Sequence, residues 1–421
     1  MQGNIQQTIN PQIVLGEEGA PVRAVCLFRP ASLWSVHKYA PLAALYFFFN
    51  FAGVHNGLCY TTLLSPILYI TLLFSKRRWI LLTFFAILMP FFIAHALNGI
   101  SSPRDYLLSA GQLCAVYISS YALCFSLTRV ADLSRLFVNL IVFNFLATLV
   151  ALLLFPTPAK YLLWAYDPNS VKGSDILRLN LLSLEPSAYA LLMLPLLIYS
   201  VLRLLRQTSF LNTLLLLMIS IPLLLSQSFG GISMAVAGIG SSILLTDKSI
   251  LRRPSTFLAI TSAALILLAI LATNNTISAR VFQVTNGVDS STSTRTTYAF
   301  IRAYAEASER SLWWGAGPGQ IKNSTEAFDL SGITRDTIPN SSALTLADFG
   351  IIGLLLRFLV EFYLFYRTKV YNNTFRTSMF VVVFIAQLTG SYMTNIQEYI
   401  MWFLAFGNIF PDMNINNEQA H

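Results

Sequence analysis

Long apolar runs separated by shorter polar segments dominate the chain. A helix that crosses the hydrocarbon core of a bilayer needs about 20 predominantly apolar residues, and most of these runs approach that length. Lipid offers no hydrogen-bond partners to an open strand, so all of the runs should be helical. We predict an all-α polytopic membrane protein with about twelve transmembrane helices, at residues 39–54, 58–74, 79–97, 107–128, 136–155, 186–202, 210–225, 232–245, 257–273, 341–366, 378–393 and 396–410.

The composition agrees with this pattern and narrows the classes of function. Of the 421 residues, 55% are hydrophobic and 11% are charged, whereas soluble domains contain about 25% charged residues. A water-soluble enzyme is therefore excluded. The four cysteines show no CxxC or metal-ligand spacing, which argues against a disulfide framework or a zinc site. The net charge of +8 would indicate nucleic acid only on a separable soluble face, and the chain shows no such domain.

Basic residues are distributed unequally between the two sides of the predicted helices. Most of the 27 Lys and Arg residues fall on one side, and the short loops on the other side hold Arg104 alone. Basic residues favour the cytoplasmic side. We therefore predict a cytoplasmic N-terminal segment at 1–38, a transmembrane domain at 39–410 and a cytoplasmic tail at 411–421. Two periplasmic loops, at about 156–184 and 274–339, exceed the usual length of about 12 to 15 residues, which favours a functional role.

The first long loop leads into a run from Arg178 to Tyr189 that contains the tripeptide Glu-Pro-Ser. Pro186 suits the first turn of a helix, so Glu185 should stand at the helix N-terminus, where the dipole favours a carboxylate. Helix capping is one sufficient reason for Glu185. An ionisable group at the membrane boundary, close to Arg178, is equally an indication of a functional site. Both interpretations remain open at this point.

The second long loop contains a predicted amphipathic helix over residues 293–312. Its residues at helical spacing would form one polar stripe, namely Arg295, Tyr298, Arg302, Glu306 and Glu309. Considered alone, the stripe is best interpreted as a solvated face with ion pairs worth about 0.2–0.5 kcal/mol each. The following Gly315-Ala-Gly317-Pro-Gly319 segment has no preceding strand, so it is not a dinucleotide fingerprint. We expect it to return the chain to the bilayer surface.

Other polar groups near the membrane receive structural interpretations. His55 and His95 lie at the outer ends of predicted helices without a second ligand at helical spacing, which argues against a metal site. Arg357 and Glu361 are four residues apart within an apolar run. They should pair on one helix face, with contact to a lipid headgroup as the alternative.

Four patches in this order resemble one known superfamily. They are Arg178–Tyr189 with its Glu-Pro-Ser, the Leu225-Ser-Gln-Ser-Phe-Gly-Gly231 turn, Arg295 leading to the turn at Gly315–Gly319, and Pro339-Asn340-Ser-Ser-Ala-Leu344 followed by Asp348-Phe-Gly350-Ile-Ile-Gly353. Their order and the helix pattern are similar to the O-antigen polymerase and ligase superfamily of bacterial inner membranes, which includes the Wzy-type polymerases. The ligases carry a histidine before the asparagine of the fourth patch. Here that place is taken by Pro339, so the resemblance favours a polymerase.

The resemblance implies a GT-C-like fold and a glycosyltransferase that joins undecaprenyl-pyrophosphate-linked repeat units at the periplasmic face. Guanidinium groups suit the pyrophosphate leaving group, and we assign this role to Arg178, Arg295 and Arg302, with Arg280 in reserve and Tyr298 as a further substrate contact. Glu185, and next Asp336, are the candidate bases for the acceptor hydroxyl.

The resemblance also limits the cofactors and partners that we expect. No cofactor and no metal is expected, because arginines can replace a divalent cation on the pyrophosphate. The expected partners are the lipid-linked donor and acceptor glycans, membrane lipids and a chain-length regulator protein, with no nucleic acid.

Two alternative functions remain. One is an O-antigen ligase that transfers the glycan to lipid A core. The other is a lipid-linked-glycan flippase or another secondary transporter, which is disfavoured because such proteins usually carry repeated halves and none is found in this chain.

Overall fold

The computed structural model describes residues 43–44, 46, 53–54, 58–74, 78–128, 130, 132–166, 177–183, 185–245, 293–323, 338–390, 393, 395–407 and 409–415. The predicted helix at 257–273, most of the one at 39–54, and the predicted site residues Arg280 and Asp336 lie outside these ranges.

The described regular structure is mainly helical. The helices are α1 (Tyr60–Leu73), α2 (Arg78–Asn98), α3 (Pro103–Leu127), α4 (Leu133–Leu154), α5 (Pro186–Arg206), α6 (Phe210–Leu225), α7 (Phe229–Leu245), α8 (Ala299–Arg310), α9 (Ser341–Arg367), α10 (Thr374–Thr389) and α11 (Ile396–Phe406). Two short antiparallel ribbons pair β1 (Gly53–Val54) with β2 (Leu58–Cys59), and β3 (Trp164–Tyr166) with β4 (Leu177–Leu179). Five described helices, α2, α3, α4, α5 and α9, are long and apolar enough to cross a membrane. The predicted all-α polytopic membrane protein is confirmed.

Polar side chains set the starts of many helices. In six of the described helices the N-cap side chain accepts a hydrogen bond from a backbone N–H of the first turn, which satisfies a group without an intrahelical partner. These caps are Ser102, Asp132, Ser209, Asn340, Asn373 and Asn395. Such caps explain why α6 begins at the predicted residue and why α10 and α11 start so sharply after short connections.

The core lies around α5, which is buried on nearly all sides. A helix that is apolar around its whole circumference is typical of such a central position. It packs against α6, α7 and α10. α10 also packs closely on α7, where the hydroxyl oxygens of Ser242 and Ser378 are 2.6 Å apart. By contrast, α2 exposes Ile87 and Ile93, as expected for a helix that faces lipid.

The predicted single crossing at 341–366 is wrong in one respect, because α9 is broken at Gly350. This residue has φ 68° and ψ −168°, which divides α9 into α9a (341–349) and α9b (351–367). Arg357 Nη1 donates to Thr345 Oγ1 at 2.9 Å. In a straight helix these residues would stand about 18 Å apart along the axis. The two halves therefore fold back on each other.

Candidate functional site

The break in α9 is closed by the segment 311–319, which we call the glycine turn. Ala316 and Gly317 N–H donate to the carbonyls of Ala347 and Asp348 at 2.8 and 3.1 Å. In return, the N–H groups of Ile351 and Ile352 donate to Leu312 and Trp313 at 3.0 and 3.2 Å. Backbone groups freed by a break at membrane depth need such partners. The third and fourth sequence patches thus form one unit.

Only glycine fits at the closest points of this unit. Gly315 has φ 83°, and a Cβ added there would stand 2.5 Å from the Asp348 carbonyl carbon. Gly317 has φ 98°, and its Cβ would stand 2.7 Å from Tyr106 Cε2. Positive φ and close backbone approach both select glycine. The turn therefore does more than return the chain to the bilayer surface, because it docks on α9 and α3.

His95 of α2 contacts the glycine turn and helps to hold it in place. Its Nε2 lies 2.8 Å from the carbonyl oxygen of Trp314, and its Nδ1 lies 2.9 Å from the Tyr106 hydroxyl. A carbonyl only accepts, so Nε2 carries the hydrogen and Nδ1 accepts from Tyr106. Both ring nitrogens are thus engaged within a buried site. His95 thus ties the glycine turn to α2 and α3.

The connection between α2 and α3 provides a second anchor for this region. The side-chain oxygen of Gln320 accepts from the N–H groups of Ser101 and Ser102 at 2.9 and 3.1 Å, and its amide nitrogen donates to Ser102 O at 3.0 Å. Arg310 at the end of α8 donates to Ser101 Oγ. We call the face on which this connection, the glycine turn and α8 lie the loop face; it is the face predicted to be periplasmic.

The polar stripe predicted on the loop helix is only partly solvated. Arg302 and Glu306 are 8% and 7% exposed, and Arg302 Nε lies 3.7 Å from Glu306 Oε1. Ile301 and Tyr304 are 45% and 56% exposed. The interpretation of the stripe as a solvated face is therefore wrong for its central pair, although the pairing itself is present.

A stripe of alanines on α8 explains why its central polar pair is buried while Ile301 and Tyr304 are exposed. Ala299, Ala303 and Ala307 of α8 are buried, and the first two pack in a cluster with Ala343 and Ala347 of α9a. Small residues let two helices approach closely. Because Arg302 and Glu306 adjoin this stripe, they are buried with it.

Arg295 lies in a π-helical turn (Thr294–Tyr298) that precedes α8. Its carbonyl accepts a hydrogen bond of 2.8 Å from Asn340 Nδ2, and the same amide nitrogen donates to Leu388 O of α10 at 2.5 Å. The Arg295 side chain is half-buried, and Tyr298 is exposed. Asn340 therefore fixes the backbone at Arg295 relative to α9 and α10.

Arg178 connects the first two sequence patches. It lies on β4, opposite Ala165 of β3, and its Nε donates to the carbonyl oxygen of Ser226 at 3.1 Å. Ser226 is the C-cap of α6, and Gln227 turns the chain with φ 46°. The half-buried Arg178 is thus held at the turn between α6 and α7.

Glu185 stands at the N-cap position of α5, but its side chain makes no capping bond. Instead, Glu185 Oε2 accepts a hydrogen bond of 3.0 Å from Ser187 Oγ. The carboxylate is exposed. The position predicted from Pro186 is therefore right, whereas capping by the side chain does not explain this residue.

The predicted residues thus form two groups. Arg178 and the Ser226 turn make one, while Arg295, Arg302 and the broken α9 make the other. They are connected by α10, which packs on α5 and α7 and also on the π turn. Sequence reasoning missed Asp348, whose Oδ1 is buried and has no hydrogen-bond partner among the described residues. A lone aspartate in the apolar run of α9 was the available signal.

Comparison with known proteins finds a family match that contains the second group, Arg295, Arg302 and the break in α9. Residues 213–358 match a protein family described as O-antigen ligase. This range includes Arg295, Arg302, Asn340 and the break at Gly350, and it begins after Arg178 and Glu185. A search of curated proteins finds no match to the chain.

Proposed function

We propose that this membrane protein is a polysaccharide polymerase of the O-antigen polymerase/ligase superfamily, and the match of residues 213–358 to a family described as O-antigen ligase supports the superfamily. It joins undecaprenyl-pyrophosphate-linked repeat units on the periplasmic face of the bacterial inner membrane. The donor glycan is passed to the non-reducing end of the acceptor glycan. A chain-length regulator protein is a proposed partner.

The observation that carries the choice of a polymerase is the residue before Asn340. Ligases of the superfamily have a histidine there, whereas this chain has Pro339, which accepts no proton. The one histidine within the described residues is His95, and both of its ring nitrogens are bonded. The described part of the chain therefore supplies no histidine base beside Asn340.

The proposed reaction breaks the bond between the anomeric carbon and a pyrophosphate oxygen. The electron pair passes to that oxygen, while the acceptor hydroxyl oxygen bonds to the anomeric carbon and loses its proton. Negative charge grows on the pyrophosphate, where guanidinium forks stabilise it through paired hydrogen bonds. Arg178, Arg295 and Arg302 take this role. Arg280 and Tyr298 remain proposed substrate contacts.

Glu185 is the proposed proton acceptor for the hydroxyl, with Asp336 as the second choice. Its carboxylate is exposed at the start of the buried helix α5, and Oε2 already accepts from Ser187. A base must reach the acceptor hydroxyl within hydrogen-bond distance, directly or through one water. The exposure of the Glu185 carboxylate at a helix N-terminus supports this choice.

Deletion of the gene in its host, followed by gel analysis of lipopolysaccharide, tests the proposal. Loss of a polymerase should leave lipid A core capped by a single repeat unit. Bare core with accumulated lipid-linked polymer would instead identify a ligase, an alternative that the match to a family described as O-antigen ligase favours. Repeat units trapped on the inner face of the membrane would identify a flippase.

A further inference from the structure

Arg357 of α9b is the centre of a buried polar cluster that joins several helices. Its Nε donates to Glu361 Oε1 at 3.1 Å and to Gln387 Oε1 of α10 at 2.8 Å. Its Nη2 donates to Glu398 Oε1 of α11. Gln387 Nε2 donates in turn to Glu361 Oε2 at 2.8 Å. We call Arg357, Glu361, Gln387 and Glu398 the membrane cluster.

The membrane cluster is buried where the middle of α9b meets the last turn of α10 and the first turn of α11. With a rise of about 1.5 Å per residue, Arg357 and Glu361 stand about 9–15 Å from either end of α9b. The side chains of Arg357, Glu361 and Glu398 are 15%, 7% and 7% exposed. Ionisable groups buried within a membrane domain are costly, and they mark functional sites by default.

The cluster holds one guanidinium and two carboxylates, so it has one carboxylate in excess. Arg357 and Glu361 alone would make a neutral pair, held in place by Gln387. A second buried carboxylate adds a charge that low-dielectric surroundings penalise strongly. Among the described residues, Tyr399 of α11 adjoins Glu398 and Arg357, and Cys114 and Tyr117 of α3 lie near Tyr399; none of these three supplies a positive charge.

The hydrogen bonds of the cluster show which kind of cation could balance the excess negative charge. Both oxygens of Glu361, Oε1 of Glu398 and Oε1 of Gln387 already accept bonds. Glu398 Oε2 is buried and has no partner among the described residues. A Mg²⁺ or Ca²⁺ ion requires about six or more oxygen ligands, whereas a proton requires a single oxygen. The geometry fits a proton and does not fit a metal ion.

We propose that Glu361 and Glu398 together bind one exchangeable proton at neutral pH, which makes the membrane cluster a neutral proton-binding site. The proton belongs to the coupled pair and not to either residue alone. Arg357 also reaches the Ser341 carbonyl at 3.5 Å, beside the Asn340 side chain that holds Arg295. The proton site therefore adjoins the loop-face group of residues. The inference rests on the cluster geometry and is independent of the proposed polymerase activity.

Infrared difference spectroscopy on the purified full-length protein in lipid nanodiscs tests this proposal. The C=O band of a protonated carboxyl is distinct from carboxylate bands and shifts in D2O. The difference spectrum of wild type minus E398Q should contain the band of one protonated carboxyl, and so should that of wild type minus E361Q. In each variant the remaining carboxylate balances Arg357 without a proton. E309Q, which removes an exposed carboxylate of α8, is the matched control and should leave the band unchanged.

Thermal unfolding supplies a second test that does not depend on the spectra. E398Q and E361Q should each retain a cooperative transition near that of wild type. The double variant should lose it, because Arg357 is left buried without a counter-charge. Difference spectra that lack the protonated band in both single variants would overturn the proposal. So would a single E398Q variant that unfolds as readily as the double variant, since both carboxylates would then be required as charges.

Discussion

Two pairs of Arg and Glu, each four residues apart on one helix, stand in different parts of this molecule. Arg302 and Glu306 belong to α8 on the loop face, and Arg357 and Glu361 belong to α9b within the membrane domain. Both pairs are mostly buried. By spacing alone they are equivalent, and both were expected to form a pair within their own helix.

The two pairs differ in their nitrogen–oxygen distance and in the residues around them. The nitrogen–oxygen distance is 3.7 Å in the α8 pair and 3.1 Å in the α9b pair. The α8 pair is buried because a stripe of alanines beside it packs on α9a. The α9b pair is part of a network that includes Gln387 of α10 and Glu398 of α11. The same sequence spacing thus gives a pair buried by its neighbours in one place and a junction of three helices in the other.

Replacement of Arg357 by Met should have the largest effect on stability. The substitution leaves the buried Glu361 and Glu398 side chains without the cation that balances their charge, and loss of one partner from a buried ion pair costs about 3–5 kcal/mol. Arg302→Met removes the cation from one carboxylate instead of two, and its ion pair is the longer one at 3.7 Å, so it should cost less, about 1–2 kcal/mol. Thermal unfolding of the detergent-purified variants measures both changes. Equal losses would mean that the hydrogen-bond network around the α9b pair does not matter.

Gly350→Ala should have the next largest effect. A residue with a side chain at φ 68° is strained by about 1–3 kcal/mol, and the new Cβ would collide with the Trp313 carbonyl. The break would then no longer bring Arg357 back to Thr345. Gly111→Ala in α3 is the control, because no atom lies within 4 Å of its added Cβ and alanine favours a helix. Unfolding midpoints that fall equally in the two variants would contradict this account of the break.

Apolar runs predicted most helix positions, because membrane helices must satisfy their backbone internally. α6 has the predicted bounds, Phe210–Leu225, and α5 begins at the predicted Pro186. The break at Gly350 was not predicted, since a single glycine is tolerated in a helical pattern. The break depends on backbone bonds from Leu312 and Trp313, far earlier in the chain, and helical periodicity contains no information about such contacts.

In the candidate site, too, the sequence pattern did not predict contacts between distant parts of the chain. The stripe that contains Arg302 and Glu306 was recognised, but which side of α8 faces the protein depends on Ala343 and Ala347 of another helix. Likewise, Glu398 was not expected beside Arg357, because the two are brought together only by the packing of α11 on its neighbours. The roles assigned to the arginines remain predictions that activity measurements must test.

Arg295→Lys addresses these roles and should have the smallest free-energy effect of the series. Lysine keeps the charge but lacks the planar fork that binds phosphate oxygens at two points, so polymer synthesis should fall about tenfold, equivalent to about 1.4 kcal/mol of transition-state stabilisation. Unfolding should not change, because Asn340 binds the Arg295 carbonyl and not its side chain. Arg104→Lys, at an exposed position of α3 on the same face, is the control. The gel ladder restored in a deletion host measures activity, and a full ladder from Arg295→Lys would remove the pyrophosphate role from Arg295 without bearing on the match of residues 213–358.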